Sequence, residues 1–215
     1  MKTSGLLDQL LRSGQDLLQN KAGQNPGKGS AAGGLGGLSG GLGSLHAGTD
    51  HQESQCRAGL TDLAANAHII SRLMALTPDI PIISEESNLA PLSQRQDWPR
   101  YWLIDPMDGT QEFIARSGDF AVSIALVEHG WPVLGVIYWP KEDIMYYASR
   151  GNGAFKQQRN LINRMKVNQH QAGDTLKIAI SRRQPLQPIV DLLHSTEHVE
   201  YIALGSCSLK SCLVA

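Results

Sequence analysis

Between Ala22 and Gly48 the composition collapses to Gly, Ala, Ser and scattered Leu, and this stretch holds eleven of the 22 glycines of the 215-residue chain. Ordering so many glycines costs more backbone entropy than a few leucines return on burial, so the segment predicts a linker or flexible tail and pushes any folded domain to one side of it. The run "GGLGGLSGG" has no strand before it and no charged residue within it, as a phosphate-cradling loop would have, and reads as spacer. Before the spacer, "GLLDQLLRSGQDLLQN" (residues 5 to 20) sets Leu6, Leu7, Leu10, Leu11, Leu17 and Leu18 on one face at helical spacing, which predicts a short amphipathic helix. The expected organisation is therefore 1–55, an amphipathic helix plus Gly-rich tail, and 56–215, a globular domain.

Charge narrows the function classes. Lys+Arg 19 against Asp+Glu 20 gives a formal net charge of -1, so no broad basic field exists to gather nucleic acid, and an anionic partner must be bound locally as a small molecule. Cys56, Cys207 and Cys212 make an odd set without a disulfide-scaffold spacing, and "MKTSGLLDQLLRSG" lacks a signal-peptide core. The expected location is the reducing cytoplasm, with peripheral attachment at the inner membrane left open. The most apolar stretch, "FAVSIALVEHGWPVLGVIYW", is interrupted by Glu128, His129, Gly130 and Pro132 and predicts two strands around a turn, not a membrane span.

Along the domain, "LTDLAANAHIISRLMALTP" predicts a helix with Leu63, Ile69, Ile70, Leu73 and Leu76 inward, closed by Pro78. "IPIISEE" and "RYWLID" predict strands that end in acids. "QEFIARSG" predicts a turn or two of helix, and "FAVSIALVE", "PVLGVIYWP" and "IMYYASR" predict strands, with a hairpin at "RGNGAF". "LKIAIS" and "VEYIALGS" read as strands flanking a helix in "PLQPIVDLLHS" that buries Leu186, Ile189, Val190 and Leu193. The alternation is that of an α/β domain with layered helices and sheet.

The candidate chemistry sits in "DPMDGT". Asp105 ends a strand and Asp108 follows across a tight turn, while Pro106 fixes the backbone between them and removes a donor. Magnesium takes oxygen ligands, commonly one or two carboxylates with a substrate phosphate, and the carbonyl of Met107 is a further hard donor. Gly109 permits the turn, and Thr110 opens a helical segment whose free amides favour a phosphate oxygen. Glu85, or its neighbour Glu86, arrives at the same edge from the preceding strand. Carboxylates gathered this way repel unless a divalent ion joins them or the fold keeps them apart. A motif D-P-x-D-G-T would arise by chance in such a chain on the order of once in ten thousand, which favours function over an ordinary turn. Cys207 and Cys212 read as small buried thiols, and His68 as a plain helix residue.

The stretches "ISEES", "WLIDPMDGTQEFIARSGDFAVSIALVEHG", "PVLGVIYWP" and "GSCSLKSCLVA", spanning about Leu60 to Ala215, resemble the inositol monophosphatase superfamily of magnesium-dependent phosphatases. Within it they are most similar to the bacterial 3'(2'),5'-bisphosphate nucleotidase branch. The resemblance implies a layered α-β-α-β-α sugar-phosphatase-like fold and a Mg2+ cofactor. It also implies removal of the 3'-phosphate of adenosine 3',5'-bisphosphate, giving AMP and phosphate. By position it implies Glu85, Asp105, the Met107 carbonyl and Asp108 as metal ligands, and Asp108, Gly109, Thr110, Ser206 and Lys210 as substrate contacts. It makes Thr110, Asp62 and Glu85 the catalytic set around an attacking water. Read without it, Ser206, Ser208 and Lys210 form a strand-to-helix cap.

The family continues past a "CLVA"-like helix to a further metal-binding aspartate in a Trp-Asp pair, so the resemblance implies a fold incomplete at the C-terminus, with apolar surface exposed. Its T-x-x-D segment is altered here to Thr61-Asp62. The N-terminal stretch resembles an unrelated family of TerB-like proteins, which implies a chimera. Two other readings accompany the nucleotidase: an inositol monophosphatase-type activity, and a non-catalytic truncated or chimeric fragment. Oligomeric state is left open.

Overall fold

The computed structural model describes residues 45–169, 171, 173–193 and 198–215. The helix expected at residues 5 to 20 and the Gly-rich run up to residue 44 lie outside them. The chain divides into two units between Arg57 and Ala58, and the core and site described below belong to Ala58–Ala215.

Helix α1 (Leu45–Leu76) starts well ahead of the expected Leu60 and includes the last residues assigned to the tail. Once a helical nucleus exists, each added residue contributes a hydrogen bond, so helix extends toward the N-terminus despite Gly48 and Gly59. Its buried stripe is Ala58, Asp62, Asn66, Ile69, Leu73, with Thr77 just beyond the end. Leu63, expected inward, is 50% exposed. Asn66 faces in because partners there receive it: Ser84 Oγ donates to Asn66 Oδ1 at 2.7 Å, and Asn66 Nδ2 donates to Ser87 Oγ at 3.1 Å.

The main sheet runs in sequence order: β1 (Ile82–Ser84), β2 (Arg100–Asp108), β3 (Ala121–Glu128), β4 (Trp131–Trp139), β5 (Ile144–Ser149), β6 (Gly153–Gln158) and β7 (Leu161–Arg164). A short helix α2 (Leu92–Arg95) lies between β1 and β2. β1 and β2 are parallel, with Ile82 opposite Trp102, and the remaining neighbours are antiparallel. Alternation along β2 buries Trp102 and Ile104 while Leu103 faces outward. Trp102 Nε1 donates to Thr77 Oγ1 at 3.0 Å, tying sheet to helix. On the other face, Ile83, Leu103, Ile124, Val136 and Met165 border an open cavity of about 800 Å³.

A second sheet pairs β8 (Leu176–Ser181) with β9 (Val199–Leu204) in parallel. Helix α5 (Cys207–Val214) lies against β3 and β4 on one side and β8 and β9 on the other, with Leu209 packed on Ala121 and Leu204. Cys212 is buried as expected, whereas Cys207 is exposed. The expected layered α/β arrangement of helix, sheet, helix, sheet is thus present. The burial expected of the helix in "PLQPIVDLLHS" is also corrected. Helix α4 (Gln187–Leu192), between β8 and β9, buries no residue, and Leu186 and Val190 point to solvent, because among the described residues no further layer covers it.

Trp102 is fully buried and bridges α1 to β2. Trp102→Ala is expected to lower stability by about 3–5 kcal/mol, measured by urea unfolding.

Candidate active site

In a regular strand, residues three apart point to opposite faces. Asp105 pairs with Ser123 and Asp108 with Ala121, so three steps on β2 oppose two on β3. The extra residue is a β-bulge, and it brings both aspartates to one edge. The tight turn expected after Asp105 is therefore an extended strand with a slipped register, and Pro106 fits because a bulge needs no ladder donor there. The amide of Met107 donates to Asp105 Oδ1 at 3.0 Å. Gly109 follows at φ 100°, where a Cβ would stand 3.1 Å from the Asp119 carbonyl oxygen, so both backbone sign and space require glycine. Thr110 then opens α3 (Thr110–Ile114), and its Oγ1 donates to the Met107 carbonyl at 3.3 Å.

Glu85 leaves the end of β1, where its amide donates to Ile104 O at 3.1 Å. It borders the same cavity as Asp105. Asp62 projects from α1, only 6% exposed, and its buried Oδ1 has no hydrogen-bond partner. Burial, then the charges of Glu86 and Glu85, then a hydrogen bond with Glu86, push Asp62 up to about 6. Asp105 is also raised to about 6, first by burial; the Met107 amide opposes this, while Glu85, Asp108 and Asp62 add to it. Asp62, Glu85, Glu86, Asp105 and Asp108 therefore share one field of negative charge. The set fits a divalent cation by three observations: all donors are hard oxygens, one buried oxygen lacks a partner, and the acids repel one another. Among the described residues no three acid, His or Cys side chains already stand close enough to hold a metal ion, so binding would draw the side chains inward.

Of the expected substrate contacts, Ser206 caps α5, accepting from the Leu209 amide at 3.1 Å. Its hydroxyl donates to Asp108 Oδ2 at 2.5 Å, and the Ser208 amide donates to the same oxygen at 2.7 Å. The positive end of α5 is thus taken up by Asp108. Lys210 Nζ donates to the carbonyls of Leu204 and Gly205 at 3.3 and 3.2 Å, which closes the β9–α5 turn.

Sequence reasoning missed four residues beside this loop. Glu112 on α3 and Asp119 before β3 are each 3% exposed, and Arg183 and Arg182, just after β8, pair with them. Two acids inside "GTQEFIARSGDF", and an Arg-Arg pair ending an apolar strand, were the available signals. Their sequence separation hid the match.

The profile described as "Inositol monophosphatase family" matches residues 44–215. A 3'(2'),5'-bisphosphate nucleotidase CysQ of Aggregatibacter actinomycetemcomitans is 42% identical over 154 residues, 72% of this chain and 57% of the relative. The protein of the same name from Salmonella typhimurium strain LT2 is 45% identical over 154 residues, again 72% of this chain and 60% of the relative. The crystal structure of CysQ from Bacteroides thetaiotaomicron, described as a bacterial member of the inositol monophosphatase family, superposes with a TM-score of 0.61 at 28% identity, covering 81% of this chain and 78% of that one. The chain thus spans less than two thirds of the length of these curated relatives.

Asp62 and Asp105 hold protons more tightly folded than unfolded, so the folded state binds more protons between about pH 4 and 6. The stability this supplies is complete below pH 4 and lost as pH rises through about 6, on the order of 1–2 kcal/mol per acid after allowing for solvent access. Urea midpoints should fall from pH 5 to pH 7.5, and fall less in Asp62→Asn. Millimolar Mg2+ at pH 7.5 should raise the wild-type midpoint and leave the Asp62→Asn, Asp105→Asn double variant unmoved.

Proposed function

The chain belongs to the inositol monophosphatase family, and on that premise we propose that it is built for magnesium-dependent phosphomonoester hydrolysis. The substrate we infer is a bisphosphorylated nucleotide, adenosine 3',5'-bisphosphate losing its 3'-phosphate to give AMP. What supports the reading most is the shared negative field of Asp62, Glu85, Asp105 and Asp108, with the orphaned oxygen of Asp62 inside it. Nucleotidase-named relatives above 40% identity support the substrate.

Glu85, Asp105, Asp108 and the Met107 carbonyl are the proposed magnesium ligands. Magnesium, when bound, would acidify a water and neutralise charge on the transferring phosphoryl group. Thr110 spends its hydroxyl proton on the Met107 carbonyl, so its oxygen can only accept, and a water held there is turned with a lone pair outward. Asp62, with its unpartnered Oδ1, is the second acceptor for that water, and Glu85 a neighbouring one. The proton leaving the water passes to Asp62, whose carboxylate burial has already made more basic than usual. Gly109 lets the backbone close upon the phosphate, and the amides opening α3 face it. Ser206 acts through Asp108, and Lys210 offers the remaining donor for a second phosphate. A cytoplasmic location goes with this substrate and with three free thiols. No described helix is long and apolar enough to cross a membrane, and peripheral attachment has no observation in its favour.

A second reading, a chain that binds metal without turnover, is favoured by the open sheet face and by the absence of a preformed ligand trio among the described residues. Phosphate release from adenosine 3',5'-bisphosphate with Mg2+ separates the two. Asp105→Asn should lower the rate by about a hundredfold or more, and turnover equal in wild type and variant would sink the nucleotidase proposal. Faster release from inositol monophosphate would keep the chemistry and change the substrate.

A further inference from the structure

We propose that Arg182 and Arg183 are positioning residues for this site: by clamping the buried carboxylates of Asp119 and Glu112 they lock the start of α5 onto the Asp108 loop. They thereby decide which oxygen of Asp108 remains for a cation. The metal half of this inference rests on the phosphatase reading, while the clamp itself does not.

Glu112 lies on α3 and Asp119 in the loop after it, and buried carboxylates without cations would cost several kcal/mol. Arg182 sends Nε at 2.9 Å and Nη2 at 2.5 Å to Asp119 Oδ2. Arg183 Nε donates to Glu112 Oε1 at 2.9 Å, and its Nη2 donates to Gln111 O at 3.1 Å. Ser117 Oγ completes Glu112 by donating to Oε2 at 2.6 Å. Both acids are thus fixed by side chains reaching over from the end of β8.

The same two acids touch the start of α5. The Ser206 amide donates to the Asp119 carbonyl at 2.9 Å. Gly205 packs so tightly on Glu112 that a Cβ would lie 2.0 Å from Glu112 Cγ. Arg182 is tied to that strand end as well, its amide donating to Leu204 O at 3.1 Å and its Nη2 to Ala203 O at 3.4 Å. From this anchored turn, Ser206 Oγ and the Ser208 amide both bond Asp108 Oδ2, so Oδ1 is the oxygen left for a cation. The two-stranded sheet therefore acts on the acid cluster through a continuous relay from guanidinium to buried acid to helix start to Asp108. About half of each arginine side chain remains exposed, yet its polar head is engaged inward.

The test uses the full chain with Arg182→Gln, Arg183→Gln and Arg182→Lys, and Arg100→Gln, which breaks a pair with Glu128 away from the site, as control. Two readouts are followed: hydrogen exchange at the Ser206 and Ser208 amides relative to global unfolding, and Mn2+ affinity by electron paramagnetic resonance. Arg182→Gln should lose protection at these two amides beyond its loss of global stability and weaken Mn2+ binding about tenfold, as removal of a group orienting a metal ligand does. Arg182→Lys, with charge but no planar fork, should fall between, and Arg100→Gln should change neither. Protection that is unchanged, or that falls equally at every amide, overturns the clamp. A wild type with protected amides and no Mn2+ binding upholds the clamp and overturns the metal reading instead. If Arg182→Gln does not fold, Arg183→Gln and Arg182→Lys carry the same comparison.

Discussion

The slip in register between β2 and β3 is the constraint from which the rest of the site follows. Strand geometry alone would send Asp105 and Asp108 to opposite faces, and only the extra residue between them on β2, opposite Ser123 and Ala121, turns both to one edge. The bulge also sets the direction in which the chain leaves the sheet. Gly109 must then adopt a positive φ against the Asp119 carbonyl, and that contact fixes where α3 begins and where the loop before β3 returns. Asp119, placed by this return, offers its carbonyl to Ser206. A local irregularity of one residue thus determines how the second sheet and α5 meet the first.

Burial of polar groups is handled in two opposite ways around this edge. Asn66, Ser84, Glu112, Asp119 and Ser206 are buried and fully engaged, so they add rigidity and specify register. Asp62 is buried to a similar degree with one oxygen unpartnered, among acids that repel it. Folding stability is lost there, and such local loss is common where a site is prepared for a ligand. The contrast within one neighbourhood distinguishes the framework from the place it supports.

The outer face of the main sheet tells a related story. Its apolar side chains line an open cavity together with Glu85, Asp105 and Ser208, so acids of the cluster share that cavity with apolar surface. Local dielectric, and hence the strength of every charge interaction among these acids, depends on what covers that face.

Much of this was legible in the linear sequence. Strands such as "FAVSIALVE" and "LKIAIS" follow from β-branched and alternating residues, and the acids of "DPMDGT" from their fixed spacing beside a glycine. Those features act over a few residues, where propensity and pattern are strong. The start of α1, the inward turn of Asn66, the exposure of α4 and the bulge were not legible. The last three depend on something distant in the chain: Ser84 for Asn66, a covering layer for Val190, β3 for Asp108. The match of Arg182 with Asp119, 63 residues apart, belongs to the same class. The sequence by itself determined which residues could bind a cation and phosphate, because donor chemistry and backbone permissiveness are properties of single residues and short runs. Only the tertiary structure decided which of those donors face one another and which stay unpaired, because burial and electrostatic coupling exist only between elements once they are packed.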